Sequence, residues 1–111
     1  MTKRLQYADD CNVGYAMSII GGKWKIAIIW KLTEGNLRYG QLRAKLSSIS
    51  EGVLINQLKE LQANGIITRN DHKTVPPHVE YQLTPQGKRL EQALRKIEQW
   101  GAEVRYPHYH K

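Results

Sequence analysis

The chain has 111 residues, which suits one compact domain with a modest core and leaves no room for a second. Hydrophobic residues make up 41% and charged residues 24%, a balance that excludes a disordered or fibrous chain. The formal net charge of +7 favours a polyanionic partner but does not choose among nucleic acid, an acidic membrane surface and an acidic protein.

The single cysteine, Cys11, excludes an internal disulfide framework and a multi-cysteine metal site. The longest apolar run, Ile26 to Trp30, is too short to span a bilayer. The N-terminus lacks the basic, apolar and small-residue order of a signal peptide, so the cytoplasm is the expected compartment, with no membrane partner.

Asp9-Asp10 are placed to cap a first helix through Val13, Ala16, Met17, Ile19 and Ile20. Gly21-Gly22 ends it, and the Lys23 that follows makes no phosphate loop, because the full spacing and the closing Ser or Thr are missing. From Lys23 to Thr33 the apolar residues cover most of a helical circumference, which predicts a helix buried between neighbours, with Trp24 and Trp30 as packing residues. Lys23, Lys25, Lys31, Arg38, Arg43 and Lys45 lie along a stretch whose only acid is Glu34. Positive charge therefore gathers just ahead of the next helical unit.

Glu34-Gly35-Asn36 reads as a turn, Leu37-Arg38-Tyr39 as a short edge strand, and a third helix starts near Gly40 with Leu42 and Leu46 paired at i, i+4. Ser47-Ser48 makes a tight connection to a well-marked fourth helix. Ser50 is its N-cap, Glu51 sits at its positive end, and Gly65 supplies the left-handed stop. At ~100° per residue, Leu54, Leu58 and Leu61 form a narrow stripe for a core. The opposite arc holds Gly52, Asn56, Lys59 and Ala63, with Ile55 at its edge and Glu51 on the flank. Short side chains let a helix enter a groove, where an amide can pair with both edge groups of adenine, an isoleucine can touch a thymine methyl, and a lysine can reach guanine or phosphate. The pair of helices, about 40–64, reads as a helix-turn-helix. Ser50, Glu51, Gly52, Ile55, Asn56 and Lys59 are the candidate base-reading residues, with Arg38, Tyr39 and Arg43 as candidate backbone contacts. A merely solvated helix face is the competing reading.

Ile66 to Arg69 and Val79 to Leu83 read as two paired strands, and the segment between them, stiffened by Pro76 and Pro77, as the tip of a hairpin. This hairpin, about 66–83, is the expected wing, where Lys73, Thr74 and His78 would meet sugar-phosphate or the minor groove. Thr84-Pro85 is a strong helix start, followed by apolar residues at helical spacing through Val104. A helix of about 85–104 is longer than so small a domain can cover, so Leu90, Leu94, Ile97, Trp100 and Val104 are the candidate dimerisation residues. His108 and His110 have no carboxylate or thiol beside them and are assigned no metal, and no cofactor is expected. The predicted fold is mainly α with a small β-hairpin: a winged helix-turn-helix ordered helix, helix, short strand, helix, helix, strand, wing, strand, helix, forming a two-fold dimer.

These segments resemble the HxlR-type bacterial transcription regulators, a winged helix-turn-helix group related to the MarR type. The likeness runs from Cys11 to about Gly101. It is carried by Ile20-Gly21-Gly22-Lys23-Trp24-Lys25, Arg38-Tyr39-Gly40-Gln41-Leu42, Ile49-Ser50 with the leucine stripe and Gly65, Val75-Pro76-Pro77-His78-Val79-Glu80-Tyr81, and Leu83-Thr84-Pro85-Gln86-Gly87. The resemblance implies a homodimer that binds double-stranded DNA at a pseudo-palindromic operator, as repressor or activator, and in some members a cysteine at the position of Cys11 that senses oxidants or electrophiles. Two departures stand out: Asn12 where a proline is common and Tyr39 where phenylalanine is usual. Within the chain itself, Asp9 and Asp10 oppose the positive helix start at Cys11. No pattern names a small-molecule effector.

Two other classes compete. An enzyme lacks its constellation, since Asp71 and His72 are neighbours on a strand end that should point apart, with no Ser or Cys spaced to use them. A protein-binding adaptor on the same scaffold is the nearer rival, because one fold serves both uses.

Overall fold

The computed structural model describes residues 11–107. Five helices and three short strands follow in the order α1 (Asn12–Ile20), α2 (Lys25–Leu32), β1 (Leu37–Arg38), α3 (Tyr39–Lys45), α4 (Glu51–Ala63), β2 (Ile67–Asp71), β3 (Val79–Leu83) and α5 (Pro85–Arg105). The fold is a winged helix: mostly helical, with one small antiparallel sheet in the order β1-β3-β2.

Most boundaries have a visible chemical cause. At α4 the Ser50 hydroxyl accepts from the Val53 amide at 3.2 Å. At its other end Gly65 turns left-handed at φ +73, the Gly65 amide donates to the Gln62 carbonyl, and the Ile66 amide donates to the Leu61 carbonyl. That double closure is the left-handed cap a glycine permits, and it delivers Ile66 into the core. The α3–α4 connection is tight enough to put Ser48 at φ +66, a costly conformation for a residue with a side chain.

Some starts differ from expectation. Asp9 and Asp10 lie outside the described residues, and the Cys11 sulfur itself caps α1, accepting from the Gly14 amide at 3.1 Å. Helix α2 begins at Lys25, because Gly21 and Gly22 leave Trp24 as its cap. Helix α3 starts one residue before Gly40, with the Gln41 side chain accepting from the Arg38 amide at 2.9 Å. Strand β2 reaches Asp71, and the His72 amide donates to the His78 carbonyl at 2.9 Å, so the hairpin ladder runs further toward the tip than its apolar pattern indicated.

One core cluster joins every helix and the sheet. It includes Ile20 of α1, Ile28 and Ile29 of α2, Leu42 of α3, Leu54, Leu58 and Leu61 of α4, Tyr81 and Leu83 of β3, and Leu94 of α5. Trp24 and Trp30 are half-buried against it, consistent with packing rather than base stacking. Lys25 departs from the sequence reading: it is only 8% exposed, and its ammonium contacts Glu60 at 2.5 Å and donates to the Ile19 carbonyl. One of the six charges read as a basic stretch is therefore used inside the fold.

Tyr39 also departs. It is half-buried against the core, and its hydroxyl is enclosed without a hydrogen-bond partner, so it does not reach outward as a phosphate contact would. The start of α5 closes on the end of α4. The Thr84 hydroxyl accepts from the Gly87 amide and lies 2.6 Å from the Gly65 carbonyl, to which it donates. A β-carbon at Gly87 would collide with the Ile66 carbonyl, which is why this turn of helix carries none.

Two stability changes follow. Gly87→Ala should destabilise the fold by about 1–3 kcal/mol in urea unfolding, since backbone rather than a flexible side chain must move. Tyr39→Phe removes an unsatisfied buried hydroxyl and should raise stability by about 1 kcal/mol; a lower unfolding midpoint would show that the hydroxyl is satisfied.

Candidate nucleic-acid interface

The leucine stripe decides which side of α4 faces out. With Leu54, Leu58 and Leu61 buried, Glu51, Gly52, Ile55, Asn56 and Lys59 are all exposed, and Ser50 stands exposed at the head of the helix. Gly52 has open space where a side chain would project, so the helix is slim at its N-terminal end. Val53 is exposed as well, a second apolar side chain on the flank of α4 away from Ile55.

Asn56 is oriented from behind. Its amide nitrogen donates to Glu60 Oε2 at 3.1 Å, and the other Glu60 oxygen meets the Lys25 ammonium. Only the nitrogen end of an amide can donate to a carboxylate, so this contact fixes which way Asn56 points. It leaves the Asn56 carbonyl oxygen and one N–H outward, the acceptor and donor that an adenine edge requires. The i, i+4 spacing of Asn56 and Glu60 was readable in the sequence; the buried Lys25 behind them was not.

The candidate backbone residues are less uniform. Arg43 is exposed and lies 3.5 Å from Glu51, a long contact that holds it near the head of α4. Arg38 is exposed, but its guanidinium donates to His78 Nδ1 at 2.8 Å. Lys73 and Thr74 stand exposed at the wing tip, where the Lys73 amide donates to the Asp71 carboxylate and the Thr74 hydroxyl to the Pro76 carbonyl. His78 differs from them. It lies where the wing strands open into the tip, half-buried and held by Arg38 on one ring nitrogen and by Glu80 on the other. Hydrogen bonds from His78 and then His72 hold the Glu80 carboxyl below the usual carboxylate range. Asp71 and His72 engage different partners, as their adjacent positions on a strand imply.

The long helix divides. Leu94 is 4% exposed and packed on its own chain, which leaves it little surface for a dimer contact, whereas Leu90 is half-buried against the core and keeps part of its surface open. Ile97, Trp100 and Val104 remain exposed, Trp100 at 65%. Val13 and Tyr15 of α1 and Ile26 of α2 are exposed too, so the uncovered apolar surface extends beyond α5. No helix among the described residues is long and apolar enough to cross a membrane.

The model of the HxlR-like helix-turn-helix family matches residues 19–109. MalR of Fusobacterium mortiferum, a candidate regulatory protein, is 45% identical over 94 residues, spanning 84% of this chain and 89% of its own length. Among solved structures, the redox regulator HypR in its reduced form superposes with a TM-score of 0.81 at 37% identity, over 86% of this chain and 94% of that one. The reduced transcriptional regulator YodB of Bacillus subtilis gives 0.79 at 30% identity, over 87% and 96%. The helix exposed beside a hairpin and the extent of these matches lead to one assignment: the chain belongs to the HxlR-like helix-turn-helix family of transcriptional regulators, not to a family of enzymes.

Proposed function

We propose that the protein binds double-stranded DNA as a homodimer at a pseudo-palindromic operator, with α4 in the major groove and the wing on the flanking backbone. The observation that carries this reading is the outer face of α4, slim at Gly52 and presenting an Asn56 amide whose direction Glu60 fixes. Ser50, Glu51, Gly52, Ile55, Asn56 and Lys59 form the reading surface, while Arg38, Arg43, Lys73 and Thr74 supply backbone contacts. The exposed Ile97, Trp100 and Val104 form the dimer face with α1, which sets two reading helices ~34 to 36 Å apart, one DNA turn.

The test begins with a cognate duplex selected from a random pool. Asn56→Ala and Lys59→Ala should each weaken that site by about 1 to 3 kcal/mol and change random DNA little. Arg38→Ala and Lys73→Ala should weaken all sequences similarly. Affinity should fall by orders of magnitude between ~50 and ~200 mM salt. Trp100→Glu should yield a folded monomer in light scattering that loses tight operator binding. A wild-type protein that selects no duplex would instead support the adaptor reading.

A second reading rests on Cys11, which is exposed at the head of α1, beside the exposed Val13 and Tyr15 of the proposed dimer face. HypR, one of the relatives, is a redox regulator. We infer that oxidation of Cys11 disturbs the dimer and releases DNA. Cys11→Ser keeps a capping oxygen in place of the sulfur, so it should fold and bind DNA while no longer responding to diamide or a quinone. An unchanged response in that variant would end the idea.

A further inference from the structure

We propose that His72, His78 and Glu80 form a binding site for a zinc-class divalent cation where the two strands of the wing open into its tip. One ligand atom from each lies within 4.8 Å of the other two. His72 Nε2 is 3.1 Å from Glu80 Oε1, and His78 Nε2 is 3.2 Å from Glu80 Oε2. In a tetrahedral zinc site with bonds of about 2.0–2.2 Å, neighbouring ligand atoms stand about 3.3 Å apart; each imidazole already stands at about that distance from one of the two Glu80 oxygens, and an ion would draw both rings toward a single oxygen to complete the set. Two imidazoles and a carboxylate with a fourth position open to water are a zinc donor set.

The backbone holds these donors in place. His78 and Glu80 are two residues apart, so strand alternation sends both to the same face. His72 lies opposite His78, joined to it by the hydrogen bond that extends the β2–β3 ladder. The two rings meet edge to face with centroids 4.8 Å apart. The site thus spans both arms of the hairpin, and an ion there would tie them together.

Occupancy has a consequence for Arg38. A guanidinium only donates, so its 2.8 Å contact makes His78 Nδ1 the acceptor and leaves the ring proton on Nε2, facing Glu80. A cation at Nε2 displaces that proton to solvent, and a neutral ring then takes up a proton at Nδ1. Nδ1 becomes a donor, and Arg38 must leave. Because Arg38 is among the proposed backbone contacts, the ion would control whether that charge is available to DNA. This consequence rests on the DNA-binding reading, but the site itself does not.

The experiment is cobalt titration of the metal-free full chain, without DNA, followed by displacement with zinc. Wild type should take up one cobalt per chain with the visible absorption of a tetrahedral ion, and zinc should bleach it. His72→Ala and Glu80→Gln, each shown to be folded by circular dichroism, should lose that absorption. The double variant His108→Ala, His110→Ala should keep it. Arg38→Ala should bind cobalt about tenfold more tightly, because the competing charge-assisted hydrogen bond is gone. No tetrahedral absorption in wild type, or absorption that survives in His72→Ala and disappears with the tail histidines, would overturn the site. Equal affinity in Arg38→Ala and wild type would overturn the exchange at His78.

Discussion

Burial of Leu54, Leu58 and Leu61 is the constraint on which the rest of this molecule depends. Each is at most 2% exposed, and full burial of a leucine stabilises a fold by about 1.5–3 kcal/mol. Because the three lie in one narrow arc, α4 has a single rotation that buries all of them. That rotation places Asn56 and Lys59 in solvent and Gly52 at the slim end. Glu60, on the flank, falls within reach of Lys25. The ammonium sits almost fully enclosed, where a charge without a partner is expensive, so Lys25 holds Glu60 and Glu60 in turn holds Asn56. A core interaction on one side of the helix therefore determines the direction of an amide on the other.

The parts of the fold that were legible in the sequence are those fixed by local chemistry. Ser50 and Gly65 bound α4, Thr84-Pro85 starts α5, and the alternation of Val79 to Leu83 gives β3 residue for residue. Each depends on a cap, a fixed dihedral angle or a two-residue period. What stayed hidden depends on register or on contacts distant in sequence. Lys25 reads as one more surface cation until α4 brings Glu60 to it. Tyr39 reads as an exposed aromatic at a helix start until α3 turns it inward. His72, His78 and Glu80 look like scattered polar residues of a loop and a strand, and only the extra rung between His72 and His78 gathers them.

The long last helix shows why a continuous apolar stripe is not a continuous surface. Its spacing from Leu90 to Val104 is regular, and periodicity alone gave every member the same role. The domain, however, covers only the first turns. Leu94 enters the same cluster as Ile28 and Leu42, whereas Trp100 lies beyond the reach of the core. The change from buried to exposed along one face marks where the chain stops covering its own helix. Val13 and Tyr15 of α1 and Ile26 of α2 are further apolar side chains that the chain leaves uncovered.

Arg38 occupies the position where these parts meet. It closes β1 opposite Glu80 in the sheet, its amide is capped by Gln41 at the start of α3, and its guanidinium reaches the wing at His78. The helical half and the wing therefore share one cation whose side chain is exposed enough to move. Its backbone is fixed by the two-residue strand and the cap, so any rearrangement falls on the side chain alone. A guanidinium that exchanges a neutral ring nitrogen for a phosphate keeps its own charge and gains a charged acceptor that it can meet with two parallel hydrogen bonds. In the proposed DNA complex such an exchange at the wing needs no movement of α4. In this structure it is the His78 ring that sets where Arg38 points.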